Sequence, residues 1–393
     1  MNLEIKKLGD VCDFYNGKAH EKAISDSGKI KVVNSKFVSS EGVKYKLTEQ
    51  VIFPLFTGDI CLVMSDVPNG KTLAKCFLVD ADDTYSLNQR ICAIRSNQFD
   101  VKFLFYQLNR HPFLLDFNNG ENQTNLRKAD ILNCPLWVPP ISEQKRIVTL
   151  LDTVFADLEQ TRAKTEQNLK NARELFDSYL QQVFSQKGEG WVESKLGDLL
   201  HVSSSKRIYA KDWTDSGVPF FGGKEIVKLA KYGKADSNAF ISEEKYMEYA
   251  SQYDMPQEGD ILMTARGTIG VGYIVNEGDK FYYKDGNIIS LRQKSPTNPD
   301  FILYAFKSHK ITDQIKELTG TTVSHLPLNK AKELVINIPS YQVQNELVLK
   351  IKEVESNIQQ VISIYEDKLT SINELKKSIL QKAFSGELTA TAN

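Results

Sequence analysis

Apolar side chains recur along two stretches of the chain at alternating steps of four and three residues, which is a heptad pattern. The stretches cover residues 147–182 and 347–382, and the second is the more strongly apolar. A period of 3.5 residues predicts a coiled-coil helix in each stretch. The predicted seam residues are Ile147, Leu151, Val154, Leu158 and Leu175 in the first helix and Leu347, Ile351, Val354, Ile358, Val361 and Ile379 in the second.

Both predicted helices have recognisable ends. Ser142, which follows two prolines, is a suitable N-cap, and Gly188 and Gly190 can end the first helix. The second helix is predicted to start after Pro339 and to end near Gly386. Each helix would have about 45 residues and a length of about 67 Å.

Two burial schemes are open for these helices. Each helix could pack on its own domain, or the two could pair with each other. Two seams of equal length and register, one in each half of the chain, favour mutual pairing. A pseudo-twofold relation between the halves would make the helices antiparallel, with Ile147 near Ile379 and Leu347 near Tyr179.

The whole chain is predicted to contain two copies of one unit. The segments "SYLQQVFSQ" at 178–186 and "SILQKAFSG" at 378–386 share five of nine residues, and "GDI" and "KLGD" each occur once in each copy. The offset between copies is 200 residues along the helices and drifts in the segments before them. Such drift is expected where surface loops accept insertions but a packed helix does not.

The segments before the helices have a different pattern. Short β-rich runs such as "GDICLVMS" and "GDILMTA", punctuated by Gly and Asp and followed by one helix, predict a mixed α/β domain in each copy. The predicted domains cover residues 1–140 and 191–339, and the helical regions cover 141–190 and 340–393. The expected fold class is therefore α+β, with two mixed α/β domains separated by two long antiparallel coiled-coil helices in a pseudo-twofold internal repeat.

Composition and charge narrow the class of protein. The chain is 41% hydrophobic and 25% charged, which is typical of folded proteins. It has no apolar run of the roughly 18 residues that a membrane span needs and no signal-peptide core, so a cytoplasmic location and no membrane partner are expected. Lys and Arg number 17 against 16 Asp and Glu in residues 1–140, and 19 against 19 in residues 191–339. A nucleic-acid partner would therefore have to bind a local basic face.

Motifs for catalysis or metal binding are missing from the sequence. The five cysteines are odd in number and never spaced as CxxC, which favours buried, reduced thiols, and the five histidines form no ligand pair. There is no P-loop, dinucleotide-binding glycine motif, nucleophile elbow, kinase signature or Asn/Asp-Pro-Pro-Tyr/Phe methyltransferase motif. We therefore expect a protein that is not an enzyme and that holds no metal.

Basic, amide and glycine residues cluster in the two variable domains, for example in "FYNGKAH", "SLNQR", "FFGGKEI" and "TARGTIG". Glycine lets the backbone approach phosphate, lysine supplies charge, and Arg, Asn or Gln can hydrogen-bond to base edges. For each position an ordinary solvated surface is the alternative. We assign "GDI" and "KLGD" to the fold because both copies keep them, whereas residues that read different bases should differ. The candidate DNA-binding residues are Lys18, Lys36, Lys71, Gln89, Arg90, Lys206, Arg207, Lys224, Lys231 and Arg266.

Several longer segments follow one another in an order typical of one protein family. They are "PLWVPPISEQKRIVTLLD", the helix ends "LQQVFSQ" and "ILQKAFSGEL", and the run "GVPFFGGKEIV", "GDILMTARGTIG" and "FYYKDGN". Together they resemble the DNA-specificity subunits of type I restriction-modification systems. Each motif is weak alone, but the resemblance covers essentially the whole chain.

The resemblance implies a non-catalytic subunit with two target-recognition domains. Each domain would read one half of a split, asymmetric sequence in double-stranded DNA, and the paired helices would fix the gap between the halves. Two methyltransferase subunits, which bind S-adenosylmethionine and methylate adenine, would dock on the helical regions. ATP-driven restriction subunits with magnesium would join them, and no cofactor is expected in this chain. The candidate docking residues are Gln144, Phe184, Gln344 and Phe384, although "PSYQVQNEL" around Gln344 departs from the family's pattern.

Other interpretations stay open at this point. The same kind of subunit could serve a modification-only complex, which its sequence alone does not distinguish. A coiled-coil scaffold without a DNA role is a second class, and it predicts no sequence-selective DNA binding. An enzyme with an unrecognised site is disfavoured by the missing motifs.

Overall fold

The chain folds into two compact units. A computed structural model of the protein describes residues 4–68, 70–186, 189–319 and 325–388. Unit 1 comprises Met1–Lys164 with Lys368–Asn393, and unit 2 comprises Thr165–Asp367. Each unit thus combines one globular domain with part of each long helix. We call the globular part of unit 1, up to residue 140, domain 1, and that of unit 2, from residue 189 to residue 339, domain 2.

Domain 1 is built from short strands and short helices and is followed by the first long helix. Its strands are β1 (Ile5–Lys7), β2 (Asp13–Asn16), β3 (Ile30–Val33), β4 (Leu47–Thr48), β5 (Ile60–Val63), β6 (Ser65–Asp66), β7 (Cys76–Leu78), β8 (Tyr85–Leu87), β9 (Ile91–Arg95), β10 (Thr124–Asn125) and β11 (Pro135–Trp137). Its helices are α1 (Leu8–Val11), α2 (Ser35–Ser39), α3 (Val101–Leu108), α4 (Pro112–Leu115) and α5 (Lys128–Leu132), and the long helix is α6 (Ile141–Phe184).

The central sheet of domain 1 is antiparallel, with strand order β2-β9-β5-β7. A second sheet has the order β4-β3-β8, in which β3 runs parallel to β8. All four side chains of β5 are buried because apolar clusters cover both faces of the central sheet. Ile60 and Leu62 face one cluster, whereas Cys61 and Val63 face the other, as the two-residue period of a strand requires.

Domain 2 has the same kind of construction with longer insertions. Its strands are β12 (Val192–Lys195), β13 (Leu200–Ser203), β14 (Trp213–Thr214), β15 (Val218–Phe221), β16 (Phe240–Ile241), β17 (Ile261–Thr264), β18 (Gly272–Ile274), β19 (Tyr282–Tyr283), β20 (Ile288–Gln293) and β21 (Val335–Ile338). Its helices are α7 (Leu196–Leu199), a 3-10 turn (Ala210–Asp212), α8 (Gly223–Tyr232), α9 (Glu243–Gln252), α10 (Pro299–Lys307), α11 (His309–Thr319) and α12 (Leu328–Glu333), and the second long helix is α13 (Tyr341–Phe384).

The strand orders confirm the predicted internal repeat. The antiparallel sheet β13-β20-β17-β18 of domain 2 corresponds to β2-β9-β5-β7 of domain 1. Strand β15 runs parallel to β19, as β3 does to β8, and β12 pairs with β21, as β1 does with β11. The mixed α/β character predicted for both domains is therefore correct.

The segments kept in both copies hold the fold, as predicted. In "KLGD" the backbone N–H of Leu8 donates to Cys134, and that of Leu196 donates to Leu334, both at 2.8 Å. In "GDI" the glycine has a positive φ of 94° at position 58 and 83° at position 259, and the aspartate that follows is buried beside an arginine. No helix in the described parts of the chain is long and apolar enough to cross a membrane.

The two long helices have 44 residues each, close to the predicted length. In unit 1, Arg146 near the start of α6 donates to the carbonyl of Leu388 at 3.0 Å. Thirteen residues further along α6, Glu159 lies 3.1 Å from Lys376. Because the partner's number falls as the α6 number rises, these parts of the helices are antiparallel, as predicted.

The predicted neighbours on the two helices share apolar clusters. Tyr179 and Leu347 pack on the same cluster in unit 2, and Ile147 and Ile379 lie in one cluster of unit 1. The polar contacts of unit 1 nevertheless set a different register from the one expected. They separate Ile147 from Ile379 by about two turns along the helix axis.

The predicted heptad period is right, but of the two apolar positions in each heptad one lies one residue further along the chain than predicted. Leu175 is 60% exposed and Val361 is 39% exposed, so both seam predictions are wrong. The more buried positions are Phe176 and Ile362, because at each step the larger of two adjacent apolar side chains turns inward. Of the other predicted seam residues, Ile147, Leu151, Ile351 and Ile358 are buried, and Val154, Leu158, Leu347, Val354 and Ile379 are half-buried.

Gln144 and Gln344, predicted as docking residues, are fully buried and hold the start of each long helix. The Gln144 Oε1 accepts from the N–H of Asp100 at 2.7 Å, and its Nε2 donates to the carbonyl of Pro139 at 2.8 Å. Gln344 makes the same two contacts with Asn298 and Pro339, each at 2.9 Å. These glutamines are not accessible to a partner, so the docking prediction is wrong for both.

Phe184 and Phe384 also serve packing within their own units. Phe184 is 2% exposed, and its ring centroid lies 5.1 Å from that of Phe301 on α10. Phe384 is half-buried, 5.3 Å from Phe103 on α3. The two rings therefore anchor the helix ends to the domains, and Phe384 also lines an open groove with Tyr106 and Leu380. Their role in docking stays a prediction.

Candidate nucleic-acid interface

The ten predicted DNA-binding residues are all exposed, and most lie along one edge of their domain. We call it the recognition edge. Three backbone segments meet there. They are the segment that follows β2 or β13, the turn that precedes β9 or β20, and the start of helix α2 or α8. In domain 2 these are residues 204–207, 284–287 and 222–224; in domain 1 they are 17–20, 88–90 and 34–36.

The segment after β13 is held by hydrogen bonds from serine and tyrosine hydroxyls, and its charged side chains are exposed. The Ser204 and Ser205 hydroxyls donate to the carbonyls of Ile288 and Tyr283 at 3.0 and 2.7 Å. The hydroxyl of Tyr282 donates to the carbonyl of Lys206 at 2.9 Å, and a second tyrosine hydroxyl, that of residue 249, donates to the next carbonyl at 3.3 Å. The serines of "SSSKR" thus fix the backbone while Lys206 and the following arginine project outward.

The turn before β20 lies beside this segment. The N–H of Lys284 donates to the carbonyl of Phe221 at 2.8 Å, which ties the turn to the end of β15. Asp285 in the turn accepts from Arg207 Nε at 2.8 Å, and this hydrogen bond raises the pKa of the guanidinium above its ordinary value. Arg207 therefore stays charged but is partly neutralised by its neighbour.

Arg266 completes a basic groove at this edge. It follows β17 and forms an isolated antiparallel bridge with His325. A groove of about 540 Å³ is lined by Arg266, Arg207, Lys284 and His325, with Asp285 as its one carboxylate. The structure thus brings together two residues predicted from the sequence and adds a lysine and a histidine that the sequence did not single out.

Helix α8 carries a row of lysines away from the same edge. Lys224 lies at its start and Lys231 in its last turn, and both are exposed. Lys228, also exposed, lies between them at a spacing of four and three residues, so the three occupy one face. Ile226 and Leu229 are buried on the other face. Lys228 was missed, although the helical spacing in "KEIVKLAK" identifies it once α8 is assigned.

In domain 1 the corresponding segment passes very close to its neighbour. Lys18 pairs with Asn88 in an isolated parallel bridge. A Cβ on Gly17 would lie 2.1 Å from the Asn88 carbonyl oxygen, so only glycine fits there. The buried His20 ring contacts the carbonyl of Lys18 and the hydroxyl of Ser86, each at 2.7 Å. Lys18 is therefore held on a rigid backbone with its side chain exposed.

The turn before β9 presents Gln89 and Arg90, both exposed. The Gln89 amide donates to Glu21 at 3.1 Å, and the carbonyl of Arg90 accepts from the N–H of Met64 at 3.1 Å. In domain 2 the carbonyl of Asn287 takes the place of that of Arg90. This equivalence explains how Lys284 was missed: the turn "YKDGN" occupies the place of "SLNQR" without resembling it.

Lys36, at the start of α2, joins the recognition edge of domain 1 to a second basic surface. It lines a groove with Lys44, Tyr45 and Lys46, and Lys31 lies 5.1 Å above the Tyr45 ring. Tyr45 is 50% exposed, so it offers an aromatic face beside the charges. The alternation of lysine and tyrosine in "KYK" is the signal that could have identified this surface.

Lys71 is not part of the three segments that define the recognition edge. It belongs to the loop after β6, where the Asp66 carboxylate accepts from the N–H groups of Thr72 and Leu73 at 2.6 and 3.0 Å. Its carbonyl accepts from Arg110 at 2.8 Å, while its side chain is exposed. Lys71 is therefore a peripheral charge on a well-held loop.

The two recognition edges have the same backbone but different side chains. Lys36 and Lys224 are equivalent, since each is the second residue of the helix after the parallel strand. Lys18 and Lys206 are also equivalent, since each lies five residues after the residue that pairs with Arg95 or Arg292. Gln89 and Arg90, in contrast, correspond to Gly286 and Asn287. The edges therefore offer similar charge for phosphates and different donors and acceptors for bases.

The described residues contain neither a metal-binding group of side chains nor an exposed cysteine. No group of three or more His, Cys, Asp or Glu could hold a metal ion in the described part of the chain. Four of the five cysteines are buried and Cys12 is half-buried. Burial raises the pKa of Cys92 to about 12 and raises those of Cys61 and Cys76 well above their ordinary range, so these thiols stay protonated.

The ends of the long helices carry an exposed row of residues that is identical in both copies. The pairs with exposed or half-buried side chains are Glu174 and Glu374, Leu175 and Leu375, Ser178 and Ser378, Gln181 and Gln381, and Ser185 and Ser385. Their spacing places them along one face of each helix end. We call these the end faces. They differ from the four residues that we expected at a docking site.

Comparisons with known proteins agree with this architecture. A family model described as the type I restriction modification DNA specificity domain matches residues 2–169 and 188–383. A Haemophilus influenzae protein named as a type I restriction enzyme specificity subunit is 29% identical over 261 residues, 65% of this chain and 64% of that protein. The EcoBI specificity subunit of Escherichia coli is 23% identical over 340 residues, 77% of this chain and 69% of that subunit. The chain thus spans about two thirds of these relatives.

Solved structures show the same fold. A chain from a study of complex assembly and conformational transition of the type I R-M system has a TM-score of 0.74 at 18% identity, covering 98% of this chain and 99% of its own. The HsdS subunit from Thermoanaerobacter tengcongensis has a TM-score of 0.60 at 18% identity, with coverage of 98% and 96%. At this level of identity the likeness concerns the fold.

Proposed function

Because the chain belongs to the family of type I restriction modification DNA specificity domains, we propose that it is a specificity subunit that binds a bipartite sequence in double-stranded DNA. Each recognition edge reads one half of an asymmetric target. Lysines such as Lys36 and Lys224 contact phosphates and position the domain, while the variable residues contact bases. Methylation and cleavage of DNA are assigned to partner subunits.

One observation carries this proposal: two recognition edges with one backbone design present different hydrogen-bonding groups. A scaffold without a DNA role has no need for exposed basic residues at the same edge of both domains. A protein that reads one repeated sequence would keep the same side chains in both copies. The combination of shared lysines and divergent neighbours supports two different half-sites.

The identical end faces support two equivalent partners. A surface kept in both copies, although it is not needed for the core, is expected where two molecules of one protein bind. We assign these partners to two methyltransferase subunits, which bring S-adenosylmethionine, and add restriction subunits that use ATP and magnesium. The assembly would act in the cytoplasm. A modification-only complex stays an alternative, and the presence of a restriction subunit in the isolated assembly decides it.

The long helices would fix the gap between the half-sites. Seven residues added to both helices would keep the apolar face in register and lengthen each by about 10.5 Å. Insertion after Lys164 and after Asp367, at the boundaries between the two units, leaves both globular domains unchanged. At 3.4 Å per base pair the tolerated gap should grow by about three base pairs. An unchanged gap would contradict this role of the helices.

The direct test is to co-express the chain with its neighbouring methyltransferase subunit and to map adenine methylation by single-molecule sequencing. A split motif with a fixed gap supports the proposal. Arg266→Ala should weaken recognition of one half-site and Lys18→Ala that of the other, whereas Lys332→Ala, an exposed change on α12 beside Gly197, should affect neither. If an assembled complex leaves DNA unmethylated, the scaffold interpretation gains.

A further inference from the structure

Arginine is the residue that most often reads guanine, through two hydrogen bonds to O6 and N7, but only if its guanidinium is not already engaged. Near the edges of the two domains five arginines are candidates: Arg90, Arg110 and Arg127 in domain 1, and Arg207 and Arg266 in domain 2. Arg207 donates to Asp285, and Arg110 donates to the carbonyls of Lys71 and Leu73. Both guanidinium groups therefore already have partners in the protein.

Arg90 and Arg266 differ from these two. Both are exposed, and within the described residues neither guanidinium makes a hydrogen bond or an ion pair. Their backbones are nevertheless well held. The Arg90 carbonyl accepts from Met64, and Arg266 lies in a bridge with His325. An unengaged donor fork on a fixed backbone is the arrangement that bidentate base recognition requires.

The two arginines lie at equivalent places, one in each domain, where three backbone segments meet. We call this place the junction of each domain. The N–H of Met64 donates to the carbonyl of residue 90, and the N–H of Ala265 donates to that of Asn287. Just beyond, Leu126 donates to Met64 and Leu326 to Ala265, both at 2.7 Å. The junction joins the turn, the end of the central strand and the returning chain in both domains.

The side chains at this junction are exchanged between the domains. Domain 1 has Arg90 on the turn and Ser65 on the strand end, whereas domain 2 has Asn287 on the turn and Arg266 on the strand end. Each domain thus has an unengaged arginine on the turn or on the strand end of the junction, supported by a different backbone segment. Arg127 of domain 1, which follows Leu126, is also exposed, but it stands on the returning chain at the start of α5. The same chemistry is presented at two different places.

We infer that each half-site contains a guanine read by the junction arginine, Arg90 in domain 1 and Arg266 in domain 2. The inference rests on the proposed function, because it requires that the recognition edges bind DNA. It gives Arg207 a different role from the one expected from the sequence: with Asp285 it holds the groove of domain 2 and supplies charge. The guanines fall at different positions within the two half-sites because the arginines stand on different segments.

The methylation map of the complex with the methyltransferase subunit tests this inference. The wild-type motif should contain a guanine in each half-site. Arg266→Ala should relax one guanine in one half-site, and Arg90→Ala one guanine in the other, with a loss of discrimination of about 5- to 140-fold at that base. Lys284→Ala, a lysine of the same groove, should lower methylation at all sites without changing the preferred bases.

A second pair of variants covers the case in which an alanine variant folds poorly. Arg266→Lys and Arg90→Lys keep the positive charge but lose the fork, so they should retain binding and still relax the guanine. Relaxation at adenine, cytosine or thymine, or relaxation in both half-sites at once, would overturn the inference while leaving the proposed function intact. A wild-type complex without a split motif would overturn both.

Discussion

The Arg95 guanidinium donates two hydrogen bonds to the buried Asp59 carboxylate, from Nε at 2.5 Å and from Nη2 at 2.9 Å. Arg292 contacts Asp260 in the same way in domain 2, at 3.0 and 2.8 Å. Each pair joins the residue just before β5 or β17 to the neighbouring strand of the antiparallel sheet, β9 or β20. The hydrogen bonds raise the pKa of both guanidinium groups, so both arginines stay charged.

Asp59→Ala should destabilise domain 1 by about 3 kcal/mol, because it leaves a half-buried guanidinium without its partner. The N–H of Phe56, which donates to Asp59 at 2.9 Å, also loses its acceptor. Hydrogen exchange in Ile60–Val63 would report the loss as faster exchange. Asp157→Ala, an exposed change on α6, should leave the same amides unaffected. Equal protection in both variants would contradict a structural role for the pair.

Gln144→Ala should lower stability by about 1 to 3 kcal/mol, since the N–H of Asp100 and the carbonyl of Pro139 would be left buried without partners. Urea unfolding measured on the free chain checks this expectation. Gln360→Ala, an exposed change on α13, should stay within about 0.5 kcal/mol. If Gln144→Ala instead left the free chain stable and only reduced partner binding, the docking role that we rejected would return.

Ile351→Ala and Val361→Ala test which positions of the long helix are packed. Ile351 is fully buried, so its truncation should cost about 2 to 5 kcal/mol. Val361 is 39% exposed, and its truncation should cost about 0.5 kcal/mol or less. Thermal unfolding of the two variants under one set of conditions gives the comparison. Similar losses would favour the seam originally predicted from the heptad pattern.

Substitution of the end faces should change the number of bound partners. Leu175→Arg places a charge on the end face of unit 2, and Leu375→Arg does the same in unit 1. Each single variant should bind one methyltransferase subunit and the double variant none, as measured by mass of the assembled complex. Leu349→Arg is the matched control, because Leu349 is 70% exposed but Thr149 occupies its place in the first copy. A double variant that still binds two subunits would exclude these faces.

The stability of unit 1 should fall between neutral and mildly acidic pH because of His111. Burial lowers the pKa of His111 below its ordinary value, although a backbone hydrogen bond with Pro135 opposes the shift. The folded form therefore binds fewer protons than the unfolded form, so stability is full above about pH 6.5 and is lost as the pH falls through the window below it.

His111→Asn isolates this effect. His111 Nδ1 accepts from the N–H of Phe113 at 3.2 Å at the start of α4, and asparagine also serves as an N-cap. Thermal unfolding at pH 7.5 and pH 5.5 should show a smaller difference for His111→Asn than for the wild type. His201→Asn, at an exposed position, should match the wild type. The same pH dependence in all three proteins would assign the effect to other groups.

Features that depend on spacing along the chain were predictable from the sequence. The period of the long helices, the internal repeat and the assignment of "GDI" to the fold follow from local rules, because a helix or strand repeats its contacts at fixed intervals. The exposure of all ten candidate DNA-binding residues was also predictable, because their side chains are polar or charged. Charged side chains without partners stay in water.

Only the tertiary structure decided which side chains are free to act. Glutamine is usually a surface residue, but Gln144 and Gln344 are buried. The turns before α3 and α10 each offer a backbone N–H that needs an acceptor, and these glutamines supply it. Nothing in the sequence distinguishes Arg207 from Arg266 as a candidate for base contacts. In the structure Arg207 is engaged by the carboxylate of Asp285, 78 residues away along the chain, whereas Arg266 is not. Leu175 lost its predicted place to Phe176 because packing selects the larger side chain. Long-range pairing of this kind depends on how segments meet in space, which no local pattern encodes.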